Sequence, residues 1–406
     1  MKKSRTASAE ERLYQEFLKR EQSRRAFLRR TFGLGAAVLI SGCGGSGPGP
    51  TGEDVGGETN PGSGQPPVGG NPGNPGNPGD PSNPGQDPAP SDPMCPSSGA
   101  LVGISDAATR GEAIEKAIAL AGGLDFIKPG DKILLKPNCN SGDAYPYSTH
   151  PETIRKVVEM LKARGAGRIV IGDRGCSFLG GGTLGKMQSN GIADMAKQLG
   201  VELQSWDNLG SGELIKVPKD KAPSWDNAMS SGFSYPKILA EVDHIINLPC
   251  AKTHYLAFYS MSLKNLIGIT TTSDRQSNII MHTMPKLADQ IAEINANVTP
   301  TLNILDITKA VVQGGPLPTD YPGGIVRDAG YVVVSRDRIA TDVTGLAILK
   351  VIGSPATAIN TYSCWNQPQI VSAIRLKLGI TGPEQYTLCG PGVKNLEQIL
   401  QKAKER

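Results

Sequence analysis

Short apolar runs alternate along the chain with longer segments in which apolar residues recur every three or four positions. The runs predict strands buried on both faces, and the wider spacing predicts helices. The predicted strands are 132–138, 168–175, 201–206, 244–249, 301–308 and 331–337. The predicted helices are 150–167 with Thr149 as its cap, 184–199, one ending before Val242, 285–297, 339–352 and 393–404. This alternation predicts an α/β fold, a mostly parallel sheet with helices on both faces.

A segment of different composition precedes this alternating pattern. Residues 44–98 consist almost entirely of Gly, Pro, Ser, Asn and Asp, including the stretch "NPGNPGNPGDPSNPG". Such a segment cannot bury enough apolar surface to offset its chain entropy, so it is predicted to be a disordered linker. Residues 99–406 then form the α/β domain, which is long enough to build one large core.

The N-terminal 43 residues have the pattern of an export signal. In "SRRAFLRRTFGLGAAVLISGC", paired Arg24 and Arg25 precede an apolar run too short to span a bilayer. This order is typical of a twin-arginine signal peptide, and "LISGC" resembles a lipoprotein box with Cys43 as the acylated residue. The alternative is a basic amphipathic tail with a chance arginine pair.

An export signal of this kind predicts where the protein works. The twin-arginine export machinery would carry it to the periplasmic face of a bacterial membrane, the outer membrane in a Gram-negative cell. The N-terminal lipid would anchor it there, and the linker would separate the domain from the membrane.

Charge argues against a nucleic-acid partner. The net charge of the chain is +4, and residues 1–42 alone contribute +6 through ten Lys/Arg and four Asp/Glu. The remainder therefore carries about −2, and it contains no common nucleic-acid-binding motif. We expect no nucleic-acid binding.

Polar groups follow five of the predicted strands. They are Lys136, Asn138 and Cys139; Asp173, Arg174 and Cys176; Cys250, Lys252 and His254; Asp306; and Arg336 and Asp337. In a parallel sheet the carboxyl ends of the strands lie at one edge, where ligands bind. The sequence therefore predicts a ligand site at the carboxyl ends of the strands.

Lysines and amides in this set are suited to an anion. Lys136, Lys252 and Lys264 offer positive charges for a phosphate or carboxylate, and Asn138 and Asn265 offer hydrogen bonds. Motifs such as GxGxxG, GxxxxGK[ST], HExxH and GxSxG do not occur at suitable places. The site is therefore predicted to bind a small anionic ligand without a known phosphate-loop motif.

Carboxylates and one histidine complete the predicted chemistry. Asp173, Asp306 and Asp342 could coordinate Mg²⁺ or orient a water molecule, and His254 could transfer a proton. The alternative is that the lysines pair with these aspartates in a purely structural network.

Cysteines leave three possibilities open. Besides Cys43 the chain has Cys95, Cys139, Cys176, Cys250, Cys364 and Cys389, an even number in a protein expected outside the cytoplasm. They could form one or more disulfides or remain unpaired. Three of them, Cys139, Cys176 and Cys250, follow strand ends and could hold an iron–sulfur cluster or a soft metal, although no CxxC spacing supports this.

Several of these motifs together resemble a known family. "LLKPN", "THPETIRKVVEMLKARGAGRIVIGD", "INLPCAKTH" with "SLKNLIG", "NILDITKAVVQGGP" and "SRDRIATDVTGLAI" are similar to the domain of unknown function family 362 over roughly residues 100–350. The resemblance implies an α/β domain that often accompanies iron–sulfur modules and has no agreed activity. It also implies motif positions without roles: Lys136, Asn138, Asp173, Lys252, His254, Lys264, Asn265, Asp306 and Asp342.

Two departures from the family pattern bear on redox chemistry. The chain has no CxxCxxC segment, and it carries Cys250 where "NLPCAKTH"-type motifs commonly have lysine.

The prediction is an enzyme acting on a small anionic substrate, with Lys136, Lys252 and His254 as catalytic residues. The alternatives are an exported iron–sulfur or metal-binding redox protein and a binding lipoprotein without catalysis. The cofactor is open between Mg²⁺ and an iron–sulfur cluster.

Overall fold

A computed structural model describes Cys95 and residues 99–406, except 177–178, 180, 227–230, 278–285 and 321–322. The predicted signal peptide, with Arg24, Arg25 and Cys43, and nearly all of the predicted linker lie outside the described residues. Within the described part of the chain, no helix has the length and apolar character needed to cross a membrane.

Twelve strands are described. They are β1 Ala100–Ser105, β2 Lys132–Pro137, β3 Arg168–Asp173, β4 Glu202–Ser205, β5 Leu214–Val217, β6 Phe233–Pro236, β7 His244–Leu248, β8 Cys250–His254, β9 Phe258–Ser260, β10 Leu302–Gln313, β11 Ile325–Ser335 and β12 Tyr386–Cys389. The main sheet has the order β12-β1-β11-β10-β7-β2-β3-β4, with β8 pairing with β10 and β9. Strands β5 and β6 form a separate antiparallel pair.

Helices occupy most of the connections in the described residues. They are α1 Arg110–Leu120, α2 Pro151–Ala163, α3 Gly182–Ser189, α4 Ile192–Leu199, α5 Ile238–Glu241, α6 Ser262–Asn265, α7 Thr272–Ser277, α8 Leu287–Asn297, α9 Arg338–Val351, α10 Thr357–Thr361, α11 Pro368–Arg375 and α12 Leu396–Lys404. One predicted helix, 184–199, is two helices, because Gly191 between them adopts a φ of 82°. The predicted cap Thr149 is replaced by His150, whose side chain accepts the Glu152 N–H.

Apolar strand residues explain the layered packing. Ile133 and Leu135 of β2 and Ile171 of β3 belong to one core with α1, α2 and α4. Leu134, the residue between the first two, points to the opposite face by strand alternation and is also fully buried. Helix α9 lies outside this core and packs on β10 and β11. The predicted α/β fold, a mostly parallel sheet with helices, is confirmed.

Strand direction differs from the prediction at one place. Strand β11 is antiparallel to both β1 and β10, whereas β10, β7, β2, β3 and β4 run parallel. The connection from β10 to β11, residues 314–324, is too short for a parallel crossover, which needs a dozen or more residues. Arg336 and Asp337 therefore lie at the edge opposite the other predicted site residues.

The segment "CAKTH", which follows the predicted strand 244–249, is itself a strand. After Pro249, which has no N–H for the β7 ladder, Cys250–His254 continues as the buried strand β8. It pairs with β10 on one side and β9 on the other, with Lys252 opposite Ser260. Lys252 is thus held by a strand ladder.

Candidate anion-binding site

A narrow cavity of about 40 Å³ opens where β2 and β3 end. Residues of these strand ends, of β8 and β9 and of α6 and α7 surround it. The lining residues are Lys136, Asn138, Asn140, Asp173, Arg174, Lys252, Ser260, Lys264, Asn265, Ile267, Gly268, Arg275 and Pro316. Five of these side chains are basic and one is acidic. We call this site the cationic cavity.

One lysine and the single carboxylate of the cavity neutralise each other. Lys136 Nζ lies 2.7 Å from Asp173 Oδ1, and both side chains are almost fully buried. Asp173 also accepts the N–H groups of Cys139 at 2.8 Å and Arg174 at 2.7 Å. A Cβ atom at Gly268 would stand 2.1 Å from Asp173 Oδ1, so glycine is needed for this close approach. Lys136 and Asp173 therefore form the kind of ion pair expected if the lysines and aspartates are a purely structural network.

Lys252 begins a chain of buried amides. Its Nζ donates to Asn138 Oδ1 at 2.7 Å, and Asn138 Nδ2 donates to Asn265 Oδ1 at 2.9 Å. Asn265 Nδ2 donates to Asn247 Oδ1 at 2.8 Å, and Asn247 Nδ2 donates to Asn303 Oδ1 at 3.0 Å. Such a satisfied network fixes the side chains that it joins.

Sequence reasoning missed two members of this chain. Asn247 and Asn303 are fully buried, each inside an otherwise apolar strand, "HIINL" and "TLNIL". A buried amide needs hydrogen-bond partners, so an asparagine inside such an apolar strand indicates a buried polar network.

Lys252 itself has no carboxylate partner among the described residues. Its Nζ donates to Asn138 and to the carbonyl of Tyr147, which leaves one of three N–H groups for the cavity. Burial lowers the pKa of this ammonium, since the charged form loses its hydration.

Two arginines add charge to the cavity: Arg174, which follows a predicted strand but was assigned no role, and Arg275, which the sequence did not indicate. Arg275 donates to three backbone carbonyls and to Thr270 Oγ1, and Arg174 also donates to carbonyls. Arg174 Nε is buried and has no hydrogen-bond partner in the described structure. Burial and the neighbouring Arg174 lower the pKa of Arg275 to about 10. Neither guanidinium forms an ion pair with a described carboxylate.

Lys264 differs from the other lysines of the cavity. It lies on the short helix α6 and is partly buried, and its Nζ makes no hydrogen bond or ion pair with the described residues. Burial, Lys252 and Arg275 lower its pKa to about 7. A neutral amine is therefore available at neutral pH.

Asp342 holds helix α6 in place. Its carboxylate accepts the N–H groups of Ser262 at 2.7 Å and Leu263 at 3.1 Å, the first two residues of the helix that carries Lys264. Burial raises the pKa of Asp342 to about 7. Asp342 is not among the lining residues of the cavity.

His254 also lies outside the lining of the cavity. Its Nδ1 accepts the N–H groups of Leu256 at 3.1 Å and Ala257 at 3.2 Å, and its ring stacks on Tyr255. The structure thus uses Nδ1 to close the turn after β8. Lys264, unlike His254, lines the cavity.

Each of the three predicted Mg²⁺ ligands is already bound by other groups of the protein. Asp306 accepts from Arg110 Nε at 2.8 Å, Tyr145 Oη at 2.7 Å and Thr153 Oγ1 at 2.7 Å. Burial acts to raise its pKa, but Arg110 and these hydrogen bonds together lower it. The other two predicted ligands bind Lys136 and helix α6, as described above. These surroundings do not fit a shared Mg²⁺ site.

Cysteines take two different states. Cys95 and Cys389 form a disulfide, whereas Cys139, Cys176, Cys250 and Cys364 are free. Burial raises the pKa of both Cys139 and Cys250 to about 12. Nowhere in the described ranges do three His, Cys, Asp or Glu residues form a group that could hold a metal ion. The three cysteines of the predicted cluster do not form a ligand set.

Six predicted residues do converge on the cationic cavity. They are Lys136, Asn138, Asp173, Lys252, Lys264 and Asn265. The fold and this site define an α/β protein with a buried, positively charged cavity at the carboxyl edge of its sheet.

Residues 133–347 match the family model described as Domain of unknown function (DUF362). The chain belongs to this family.

One relative and two solved structures are similar to parts of this chain. A thylakoid-associated protein of Synechocystis is 26% identical over 249 residues, which cover 59% of this chain and 68% of that protein. The lactate racemase apoprotein of Thermoanaerobacterium thermosaccharolyticum has a TM-score of 0.38 at 10% identity, with 55% of this chain and 53% of that one covered. A Thermotoga maritima protein has a TM-score of 0.35 at 11% identity, with 62% and 58% covered. The chain spans little more than half of either solved structure.

Proposed function

We propose that this protein is an enzyme acting on a small anionic substrate, which it binds in the cationic cavity. Lys252, Arg174 and Arg275 hold the anion, and Lys264 is the reacting amine. The observation that supports this most strongly is the imbalance of charge: Lys136 pairs with the single carboxylate of the lining, and the other four basic side chains of the lining have none.

Buried charge without a counterion costs free energy. Removing an ion from water costs several kcal/mol even after the protein relaxes, and a partner of opposite charge offsets part of this. Lys252 and Arg275 are each at most 9% exposed. A bound anion would supply the missing negative charge, so these residues favour an anionic ligand.

Unused hydrogen-bond donors in the cavity also favour an anionic ligand. Lys252 retains one N–H, Arg275 retains one of its five, and Arg174 Nε is unpartnered. Carboxylate and phosphate oxygens accept several such bonds at once. A neutral ligand would leave the positive charges uncompensated.

Size limits which part of the substrate the cavity holds. A cavity needs about 10–15 Å³ to hold one water molecule. The volume of about 40 Å³ therefore accommodates one compact group such as a carboxylate or phosphate. The remainder of a larger substrate would extend towards the opening.

Lys264 supplies the chemistry in this proposal. General bases work best with a pKa near the working pH, and the pKa of Lys264 is about 7. Its neutral amine beside the bound anion can remove a proton from the substrate and return it. This role replaces the one predicted for His254.

Anion binding is tested by calorimetry with inorganic phosphate and with acetate at low ionic strength. We expect saturable binding that weakens at least tenfold in Lys252→Met. Lys309→Met, on an exposed strand position, is the matched control and should bind as the wild type does. Equal affinities for all three proteins would refute the assigned site.

Proton transfer is tested without knowing the product. Small carboxylic acids are incubated with the protein in D₂O, and exchange of their carbon-bound protons is followed by NMR. We expect exchange with at least one compound, lost in Lys264→Met while anion binding remains. Binding without any exchange or turnover would favour the non-catalytic alternative.

Export and lipid anchoring remain part of the proposal. The twin-arginine pattern and Cys43 support them, and so does the Cys95–Cys389 disulfide, since such bonds persist in oxidising compartments. Replacing Arg24 and Arg25 with lysine should retain the protein in the cytoplasm, and Cys43→Ser should release it from the membrane fraction. Unchanged fractionation would contradict both assignments.

A further inference from the structure

We propose that Lys264 forms an imine with the carbonyl carbon of a small 2-oxo acid whose carboxylate occupies the cationic cavity. This inference rests on the proposed function, because it needs an anion bound beside Lys264.

The surroundings of Lys264 suit a nucleophile. Lys136 is tied to Asp173 and Lys252 to Asn138, whereas Lys264 Nζ has no hydrogen bond or ion pair among the described residues. An amine that is desolvated and lies beside other cations loses its proton readily, which is how enzymes activate a lysine for attack on a carbonyl. Lys252 and Arg275 are the cations here.

The same two cations determine what kind of carbonyl compound fits. Both line the same cavity of about 40 Å³ as Lys264, so a carboxylate held between them lies beside the amine. In a 2-oxo acid the carbonyl carbon is bonded directly to the carboxylate carbon. Binding the acid group at Lys252 and Arg275 therefore brings the carbonyl within reach of Lys264.

The covalent step balances without a further reactant. The lone pair of Nζ forms a bond to the carbonyl carbon, and the π electrons of that bond move to oxygen. A proton passes from nitrogen to oxygen to give a carbinolamine. A second proton, delivered by solvent through the opening of the cavity, lets this oxygen leave as water. The product is a protonated imine, which the adjacent carboxylate stabilises by its charge.

Reductive trapping tests the proposal on the full-length protein. Pyruvate and sodium cyanoborohydride are added at pH 7.5, and the modified residue is identified by intact mass and peptide mapping. We expect one adduct per chain at Lys264, formed at least tenfold faster than at any exposed lysine. Inorganic phosphate should slow the trapping by competing for the cavity, and acetate, which has no ketone, should give no adduct.

Two variants and a pH series sharpen the result. Lys264→Arg keeps the positive charge and should give no adduct, whereas Lys309→Arg should be trapped like the wild type. The trapping rate at Lys264 should rise through a midpoint near pH 7, because only the neutral amine attacks. A random surface lysine would show its midpoint above pH 10.

The possible failures are distinguishable. If calorimetry shows pyruvate or phosphate bound at Lys252 but trapping is spread over surface lysines or absent, the imine is refuted and the proposed anion site stands. If neither ligand binds, both proposals fail. An adduct that persists in Lys264→Arg would also refute the assignment.

Discussion

Replacing Lys264 with methionine should stabilise the ligand-free protein, and more strongly at pH 6 than at pH 9.5. Below about pH 7 the lysine is charged in both the folded and the unfolded chain, so the full cost of burying the ammonium is present. Between about pH 7 and 10.5 the folded chain holds a neutral amine while the unfolded chain stays protonated. The cost therefore shrinks as the pH rises, and the advantage of methionine shrinks with it.

The magnitude follows from the two pKa values. The difference between 10.5 and about 7 corresponds to a ceiling of about 5 kcal/mol at pH 6. At pH 9.5 the same calculation leaves about 1.4 kcal/mol. Because Lys264 is only partly buried, solvent screens the charge, and we expect about 2 kcal/mol at pH 6 and well under 1 kcal/mol at pH 9.5.

Urea unfolding followed by far-UV circular dichroism measures this difference. Wild type, Lys264→Met and the exposed control Lys309→Met are compared at pH 6 and pH 9.5. Methionine adds an apolar contribution that does not depend on pH, so the change between the two pH values is the informative quantity. A difference between Lys264→Met and wild type that is equal at both values would refute the assigned ionisation.

Other predictions test the supporting structure. Gly268→Ala should lower the free energy of unfolding by about 3 kcal/mol or more, because the new Cβ meets a buried carboxylate, whereas Gly185→Ala in helix α3 should be neutral or stabilising by up to about 1 kcal/mol in the same urea assay. Since burial raises the pKa of Asp342 from 3.8 to about 7, its ionisation destabilises the fold increasingly as the pH rises through this range, so Asp342→Asn should gain about 2 kcal/mol relative to wild type between pH 5 and pH 8. A relative stability that is flat with pH would contradict this. Peptide mapping without reduction should recover Cys95 linked to Cys389, and any other pairing would contradict the described fold.

Local patterns predicted much of the fold because strand burial and helix periodicity are local properties. The apolar runs around Ile133 and Ile171 correspond to strands β2 and β3, and helix α2 lies within its predicted range. The direction of β11 was not predictable from its own residues, because it depends on the length of the connection that precedes it. The strand containing Lys252 was missed because the apolar run that predicts a strand over 244–249 ends at Pro249, whereas β8 contains polar residues and is buried by its pairing with distant β10.

The candidate site was predictable in residue type and less so in pairing. A lysine at a strand end indicates a possible charge, but only the fold shows that Lys136 meets Asp173 while Lys252 meets an amide. The sequence did not indicate that Arg275 belongs to the site, because its position is set by contacts with the distant loop after β3.

This difference in pairing is also what separates a ligand site from a structural ion network. Had each cation met a carboxylate, the cavity would be neutral, and an anion entering it would have to displace a partner. Instead the amide chain from Asn138 to Asn303 holds Lys252 through neutral groups, which fix its position without cancelling its charge. Ligand binding should then stabilise the fold, since the anion supplies the counter-charge that the chain lacks. The amide chain therefore connects the free-energy cost of burying Lys252 to the anion binding that we propose.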